Sequence, residues 1–322
     1  MLSTLYAAIA RRRRERYAAR PDLRRRLRNP VVSIGNLAVG GRGKTPMAAY
    51  VARMLLEMGE RPAVLSRGYG RRDRRDGVVV VRDADGIRAD LFRAGDEPLM
   101  LARQLPGVSV LSCPDRYVAG RLAERHLGST VHVLDDGFQH LQLDRDVDLL
   151  IIASDDIARP ATLPAGRLRE PLDTLIAADA ILAADDDVIV RPAEASPPVF
   201  HIHRSPLPPP PDDRPALGLA GIAEPARFFR ELRAAGWTLA GTMAFRDHHA
   251  YSARDVQRIV QRAQQSGAAR IVTTEKDAVR LLGFRPLAVP LVTAPLRLEP
   301  RPAAEFAAWL ADAVRAARDQ HV

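Results

Sequence analysis

Residues 30–58 read PVVSIGNLAVGGRGKTPMAAYVARMLLEM, and this stretch decides the fold. Pro30 opens the apolar run 31–35, which has the character of a buried strand. The loop NLAVGGRGKTP (36–46) follows, and then Met47, Tyr50, Val51, Met54, Leu55 and Met58 recur at helical spacing, with Gly59 placed for a left-handed stop. Strand, glycine-rich loop and helix in that order is the context that gives a GxxxxGK[ST] pattern its meaning. Gly40, Gly41 and Gly43 let the loop turn its N–H groups inward around phosphate oxygens. The helix N-terminus adds a positive dipole end, Lys44 reaches the β- and γ-phosphates, and the Thr45 hydroxyl can ligate Mg²⁺. Pro46 costs little, because N–H groups in a first helical turn have no intrahelical partner. Ala38 stands where the pattern has its first glycine, so the strict motif fails by one residue, and a structural glycine turn is the alternative.

A phosphate loop needs an acidic partner at the end of another strand. VHVLDDGFQH (131–140) supplies it: a short apolar strand runs straight into Asp135 and Asp136. Carboxylates at a strand's carboxyl end lie at the edge where ligands bind in parallel α/β sheets, and they can hold Mg²⁺ directly or through water. Taken alone, such a pair is an ordinary turn.

The first part of the chain alternates short apolar strands (31–35, 62–66, 78–82, 108–112, 131–134, 147–153) with helices (44–58, 97–105, 115–127), followed by a helix at 172–178 and a strand at 180–183. That alternation predicts an α/β fold with a doubly wound parallel sheet. SPLPPPPDDRP (205–215) is a stiff connector. A second, smaller α/β unit then starts afresh, with strands at 216–221, 237–245, 270–273 and 287–293. Its helices are at 225–235, 253–266 (capped by Ser252) and 276–282. The expected division is a basic segment 1–30, a nucleotide-binding domain 31–205, a second domain 206–300, and a C-terminal helix within 301–322 that packs on either domain. HIH (201–203) puts two histidines on one strand face, and with no nearby carboxylate or thiol it reads as linker rather than as a metal site.

Composition narrows the function classes. Hydrophobic residues at 47% and charged residues at 27% exclude a disordered chain, and the lone Cys113 excludes an internal disulfide framework. No run approaches the roughly 18 consecutive apolar residues of a membrane span. Residues 1–30 carry ten arginines against Glu15 and Asp22, while the whole chain is only +9, so the body is close to neutral and the head is basic. Leu2, Leu5, Tyr6 and Ile9 precede that cationic run on one helical face. Apolar groups followed by arginines suit an anionic membrane surface. A solvated basic tail and an arm on nucleic acid are the alternatives, and no RNA- or DNA-binding signature follows to support the last. A signal peptide would put its charge before the apolar stretch. Lys44 and Lys276 are the only lysines beside 46 arginines, which draws attention to both.

Several further motifs coincide: LSRGYGRR (65–72), GDEPLMLAR (95–103), PDR (114–116), LPAGRLREPL (163–172), GIAEPARFF (221–229), DHHAYS (247–252) and TTEKD (273–277). With the phosphate loop and LDDGFQH they closely resemble, over about residues 31–283, the tetraacyldisaccharide 4′-kinases, the lipid A 4′-kinases of Gram-negative bacteria. The phosphate loop of that family also lacks the first glycine. The resemblance implies two α/β domains joined by a two-stranded linker, ATP and Mg²⁺ as cofactors, and transfer of the γ-phosphate to the 4′-hydroxyl of a tetraacyldisaccharide 1-phosphate lipid. It also implies a peripheral location on the cytoplasmic face of the inner membrane, with no role for nucleic acid.

A sugar hydroxyl is a poor nucleophile, so a base must take its proton. Asp96 of GDEP, just before a helix at the sheet's ligand edge, is the best candidate, and by similarity to the family His248 of DHH pairs with it. Without the resemblance, Asp96 reads as a helix N-cap and His248 as a loop hydrogen-bonder. Glu97, Asp135, Asp136 and Glu170 join Thr45 as candidates for the magnesium shell, and Arg116 and Arg169 for phosphate contacts. Tyr69, Arg71 and Arg72 follow a strand, as a contact to the lipid headgroup or as a solvated turn. Lys276 has no role beyond capping. The main rival is a nucleotide-dependent switch or metallochaperone of the P-loop class; NKxD and paired metal-binding residues near the loop are both missing from the sequence.

Overall fold

A computed structural model describes residues 1–71, 73, 77–184 and 197–321. In chain order the elements are α1 (Leu2–Ala19), β1 (Val31–Asn36), α2 (Lys44–Glu57), β2 (Pro62–Ser66), β3 (Val79–Asp83), β4 (Gly86–Ile87), α3 (Leu91–Ala94), α4 (Asp96–Gln104), β5 (Ser109–Ser112), α5 (Arg116–His126), β6 (Val131–Asp135), β7 (Val147–Ile152), α6 (Ser154–Ala158), β8 (Ala180–Ala183) and β9 (Val199–Arg204). There follow β10 (Ala216–Ala220), α7 (Pro225–Ala234), β11 (Leu239–Ala244), α8 (Ala253–Gln265), β12 (Arg270–Thr273), α9 (Glu275–Arg280), β13 (Leu291–Thr293), β14 (Leu298–Arg301) and α10 (Ala303–Asp319).

Among the described residues, the larger sheet has ten strands in the order β14-β9-β8-β7-β1-β6-β2-β5-β3-β4. Its central strands are parallel; at one flank β3 pairs antiparallel with both β5 and β4, and at the other β14 pairs antiparallel with β9. All six residues of β1 are buried, as a strand covered on both faces requires. β1 lies between β6 and β7, so the loop leaving its carboxyl end opens beside the Asp135 end of β6. α2 buries Met47, Val51, Met54 and Leu55 and stops at Gly59, whose φ of 88° needs a glycine. The second sheet, β11-β10-β12-β13, is wholly parallel. α7 covers one face through Phe228, Phe229 and Leu232, and α8 the other through Ile259 and Ala263. Ser252 caps α8 as expected, accepting from the Asp255 N–H at 3.2 Å.

Two expectations need correcting, the helix at 172–178 and the boundary at 300, and the structure also places the HIH segment and the last helix. The segment 172–178 is a 3₁₀ turn (Leu172–Ala177), because Leu172 and Leu175 sit three apart and face the same apolar layer. Residues 201–203 lie within β9, whose Phe200 and Ile202 are buried while His201 and His203 are half-buried. The expected boundary at 300 falls inside β14, which returns to the larger sheet against β9 with Pro300 opposite Ile202. As the edge strand, β14 tolerates a proline. The paired β9 and β14 are therefore the two strands connecting the domains. α10 packs on the first domain, sending Phe306, Leu310 and Val314 into its core, with Phe306 5.1 Å from Phe200.

The basic head is neither short nor free. α1 is one continuous helix, and beyond it Leu27 is buried against Gly120, where a Cβ would meet it at 2.3 Å. Arg11, Arg14, Arg24, Arg25 and Arg26 pair with Asp173, Glu170, Asp144, Asp115 and Asp146 of the body. No helix among the described residues is long and apolar enough to cross a membrane.

Candidate functional site

The phosphate loop is held in shape from outside. Val39 N donates to the Arg167 carbonyl at 2.8 Å, and Arg169 N to the Leu37 carbonyl at 2.6 Å. Ala38 is buried with Leu37, Phe138 and Leu168, so the departure from the glycine pattern puts a methyl group into an apolar layer. Gly40 and Gly43 have φ of 106° and 85°, conformations that a side chain would strain. At the loop's far end Arg42 pairs with the buried Asp156 of α6 at 2.6 Å.

Asn36, the last residue of β1, gathers the cations. Its Oδ1 accepts from Lys44 Nζ at 2.9 Å and from Arg169 Nη2 at 2.5 Å. Arg169 also grips Asp136 at 2.9 and 3.2 Å, and Lys44 lies 3.6 Å from the same carboxylate. Burial pushes Lys44 down from its ordinary value against the pull of Asp136. Asn36 Nδ2, Arg169 Nε and Arg116 Nε are buried donors with no partner among the described residues, which suits an anionic ligand. Arg116, at the start of α5, is 4% exposed, and its Nη1 donates to the Pro114 carbonyl.

Thr45 Oγ1 lies 3.3 Å from both oxygens of Asp135. Burial, then the negative charges of Glu97 and Asp136, push Asp135 up to about 7. A hydroxyl and a carboxylate at the mouth of the phosphate loop form the hard-oxygen donor set that Mg²⁺ takes, and a cation there would relieve that carboxylate. Asp136 has a left-handed φ of 58°, a conformation that collects at functional sites. Glu170 stands apart from this pair. Its carboxylate is taken up by Arg14 at 2.8 Å and 3.3 Å.

The second cluster spans the seam between the two sheets. Asp96, the first residue of α4, is 6% exposed, and its Oδ2 meets His248 Nδ1 at 3.1 Å. The same oxygen accepts from Arg280 Nε at 3.0 Å and Nη2 at 2.6 Å. Burial raises Asp96, but the His248 hydrogen bond and the charges of Arg280 and Lys276 outweigh it and hold the carboxyl well below the usual range. Lys276 Nζ lies 3.0 Å from His248 Nε2 and 3.2 Å from Glu97 Oε1. Asp96 and His248, paired above by resemblance, are thus in contact, and they are joined by Lys276, expected only to cap, and by Arg280, which no motif singled out. Arg280 stands one helical turn after Lys276, yet in a chain with 46 arginines its type carried no signal.

Tyr69 is 58% exposed, and its ring stands edge-on to His248 at 4.7 Å. It opens onto a cleft of about 1280 Å³ that reaches past Asp96 to Ile87, Phe92 and Phe284. Ile87 and Phe92 are 41% and 50% exposed at its rim. Arg71 is buried and donates to the Ser112 carbonyl at 3.1 Å, which pins the loop and leaves the side chain facing inward. Arg72 lies outside the described residues.

The outer face of α1 carries Leu2, Leu5 and Ile9, all 59% exposed or more, followed by Arg12, Arg13 and Arg16, which have no acidic partner among the described residues. Tyr6, placed on that face by its spacing, is half-buried.

Comparison with known proteins bears on all of this. The sequence profile of the family described as tetraacyldisaccharide-1-P 4′-kinase matches residues 1–315. A tetraacyldisaccharide 4′-kinase of Pelobacter propionicus is 40% identical over 315 residues, covering 88% of this chain and 82% of its own. Another from Geobacter metallireducens is 39% identical over 302 residues, covering 87% of each. The solved structure of LpxK from Aquifex aeolicus in complex with ATP superposes with a TM-score of 0.81 at 30% identity, with 97% of each chain covered. Because the match runs from the basic helix through both sheets, this chain belongs to the tetraacyldisaccharide-1-P 4′-kinase family.

Proposed function

We propose that this protein transfers the γ-phosphate of ATP to the 4′-hydroxyl of a tetraacylated glucosamine disaccharide 1-phosphate, working at the cytoplasmic face of a bacterial inner membrane. The observation that carries the reading is the Asp96–His248 pair at 3.1 Å, a carboxylate from one domain and an imidazole from the other. Lys276 links that pair to Glu97 and so toward the Asp135 side of the phosphate loop. Lys44, Arg169 and the loop N–H groups bind and orient the triphosphate. Thr45 and Asp135 would hold Mg²⁺, which would supply charge neutralisation for the triphosphate. Asp96 accepts the hydroxyl proton, and His248 orients the carboxylate and shares the developing charge. A strongly held Asp96 is a weak base, which suits phosphoryl transfer because positioning and electrostatics dominate that step. The seam excludes water from the nucleotide.

The cleft beside Tyr69 is the best place for the lipid: its Asp96 end is polar, and its Ile87 and Phe92 rim is apolar. The outer face of α1 suits the surface of an anionic bilayer, where aliphatic tips enter and arginines meet headgroups. Incubating the protein with γ-labelled ATP, Mg²⁺ and the detergent-dispersed lipid, then separating the lipids, tests the reading. A labelled bisphosphorylated lipid is expected; folded protein that yields only free phosphate overturns it.

A further inference from the structure

Arg14 lies on the inward face of α1, 18% exposed, while Arg12, Arg13 and Arg16 face outward. Its guanidinium pairs with Glu170 through two prongs, Nη2–Oε2 at 2.8 Å and Nε–Oε1 at 3.3 Å. It also donates to the Phe138 carbonyl at 3.3 Å and covers the Phe138 ring 4.3 Å from its centre. Both partners adjoin the phosphate site in sequence. Glu170 follows Arg169, which holds Asn36 and Asp136. Phe138 closes the turn that begins at the left-handed Asp136. That turn is seated tightly on β1, since a Cβ on Gly35 would meet the Phe138 Cβ at 2.3 Å. Between the two, Gln139 Nε2 donates to the Asn36 carbonyl at 3.0 Å and lies 3.5 Å from Glu170 Oε2.

We propose that Arg14 is a positioning residue for phosphoryl transfer. Acting through Glu170 and the Phe138 carbonyl, it holds Arg169 and the Asp136 turn where they meet Asn36 and Lys44. The inference rests on the kinase reading above, since what it positions is the cradle for the triphosphate. Glu170 is 4% exposed, and a buried carboxylate stripped of its cation draws on whatever donor is nearest. Here that is Gln139 Nε2 at 3.5 Å, the same nitrogen that holds the Asn36 carbonyl, while Arg169, which grips Asn36 and Asp136, is the next residue along the chain. The Arg14 side chain thereby connects the surface helix to the nucleotide site.

The test uses full-length protein in detergent, so that surface binding does not enter. Arg14→Ala, Arg14→Lys, Glu170→Gln and the double variant Arg14→Ala/Glu170→Gln are compared with Arg11→Ala, which removes the exposed α1 contact to Asp173. Binding of a fluorescent ATP analogue without lipid, kcat and KM for ATP, and melting temperature are measured for each. Arg14→Ala is expected to lose about 10–100-fold in kcat/KM for ATP and to bind the analogue more weakly. Arg11→Ala is expected to behave as the parent. The double variant should be no worse than Arg14→Ala, because neutralising Glu170 removes the charge that would draw Gln139 off the Asn36 carbonyl and disturb the Arg169 segment. Arg14→Lys keeps the charge without the fork and should recover only part of the loss. Arg14→Ala behaving like Arg11→Ala, or losses that multiply in the double variant, overturns the proposal. If Arg14→Ala melts well below the parent, Arg14→Lys decides: analogue affinity equal to the parent's overturns the proposal. A parent that binds the analogue but labels no lipid refutes the kinase reading instead, and the binding comparison still reports on Arg14.

Discussion

Replacing Arg280 with methionine removes the cation that joins the two sheets while keeping similar bulk. Asp96 Oδ2 loses donors at 3.0 and 2.6 Å, Asp277 Oδ1 loses one at 3.1 Å, and the Gly221 carbonyl loses one at 2.8 Å. Asp277 keeps Tyr251, Thr274 and the Gly221 N–H, so the deficit falls on Asp96, which among the described residues keeps only His248 and its own helix start. Stripping one partner from a buried pair costs about 3–5 kcal/mol. Opening of the seam caps that cost, because water can then reach Asp96. At roughly 2–4 °C per kcal/mol, the melting temperature should fall by about 6–20 °C if the seam stays shut, and by less if it opens. With Arg280 gone, burial is opposed only by His248 and Lys276, so the Asp96 pKa moves up. In the parent that depressed pKa contributes stability above pH 3.8, lost as the pH falls through the folded value. The variant should show a smaller contribution at neutral pH, and its loss, which starts near pH 3.8 in both proteins, should be complete at a higher pH. A reacting carboxylate displaced by an ångström costs about 100-fold in kcat. Calorimetry from about pH 2 to 7 and turnover in detergent at neutral pH read both effects. A melting temperature within about 1 °C of the parent, together with turnover within about twofold, would refute the assignment of Arg280 to the seam.

Lys44→Ala and Thr45→Ala should each nearly abolish lipid phosphorylation with melting temperatures close to the parent's, since both act at a loop; normal turnover in either discards the phosphate-loop assignment. On the outer face of α1, Leu5→Glu/Ile9→Glu should release the protein from anionic vesicles, because each buried aliphatic side chain is worth about 1.5–3 kcal/mol. Equal sedimentation with and without the change makes that face merely solvated. These substitutions are a cleaner probe than removing residues 1–28, which would also take Leu27 from the core and Arg14 from Glu170. Burial, then the charge of Arg116, holds His140 down to about 4 against an ordinary 6.5. The unfolded chain therefore binds the extra proton between those values, so stability is full above pH 6.5 and falls as the pH drops toward 4. His140→Gln should lose that dependence, on the order of 1–3 kcal/mol, and parallel pH–melting curves for the two proteins would rule His140 out.

The sequence by itself determined the phosphate loop, the acidic strand end and the alternation behind the larger sheet. Each is local: β1, its loop and α2 form one run of residues, and their spacing states a period, a breaker and a helix start. The Asp96–His248 pair came from motif resemblance alone, because 152 residues separate the two and no periodicity links them. Tertiary structure decided everything that depends on which surfaces meet. β14 reads LEPR and has no strand character until β9 offers it an edge. Arg280 and Lys276 acquire roles only because α9 packs on α4. Glu170 looked like a metal ligand until α1 folded back and placed Arg14 on it. Charges that a composition counts as a free basic head are, in the folded chain, partly spent on carboxylates of the body, since ion pairing depends on distance in space and the sequence fixes only distance along the chain.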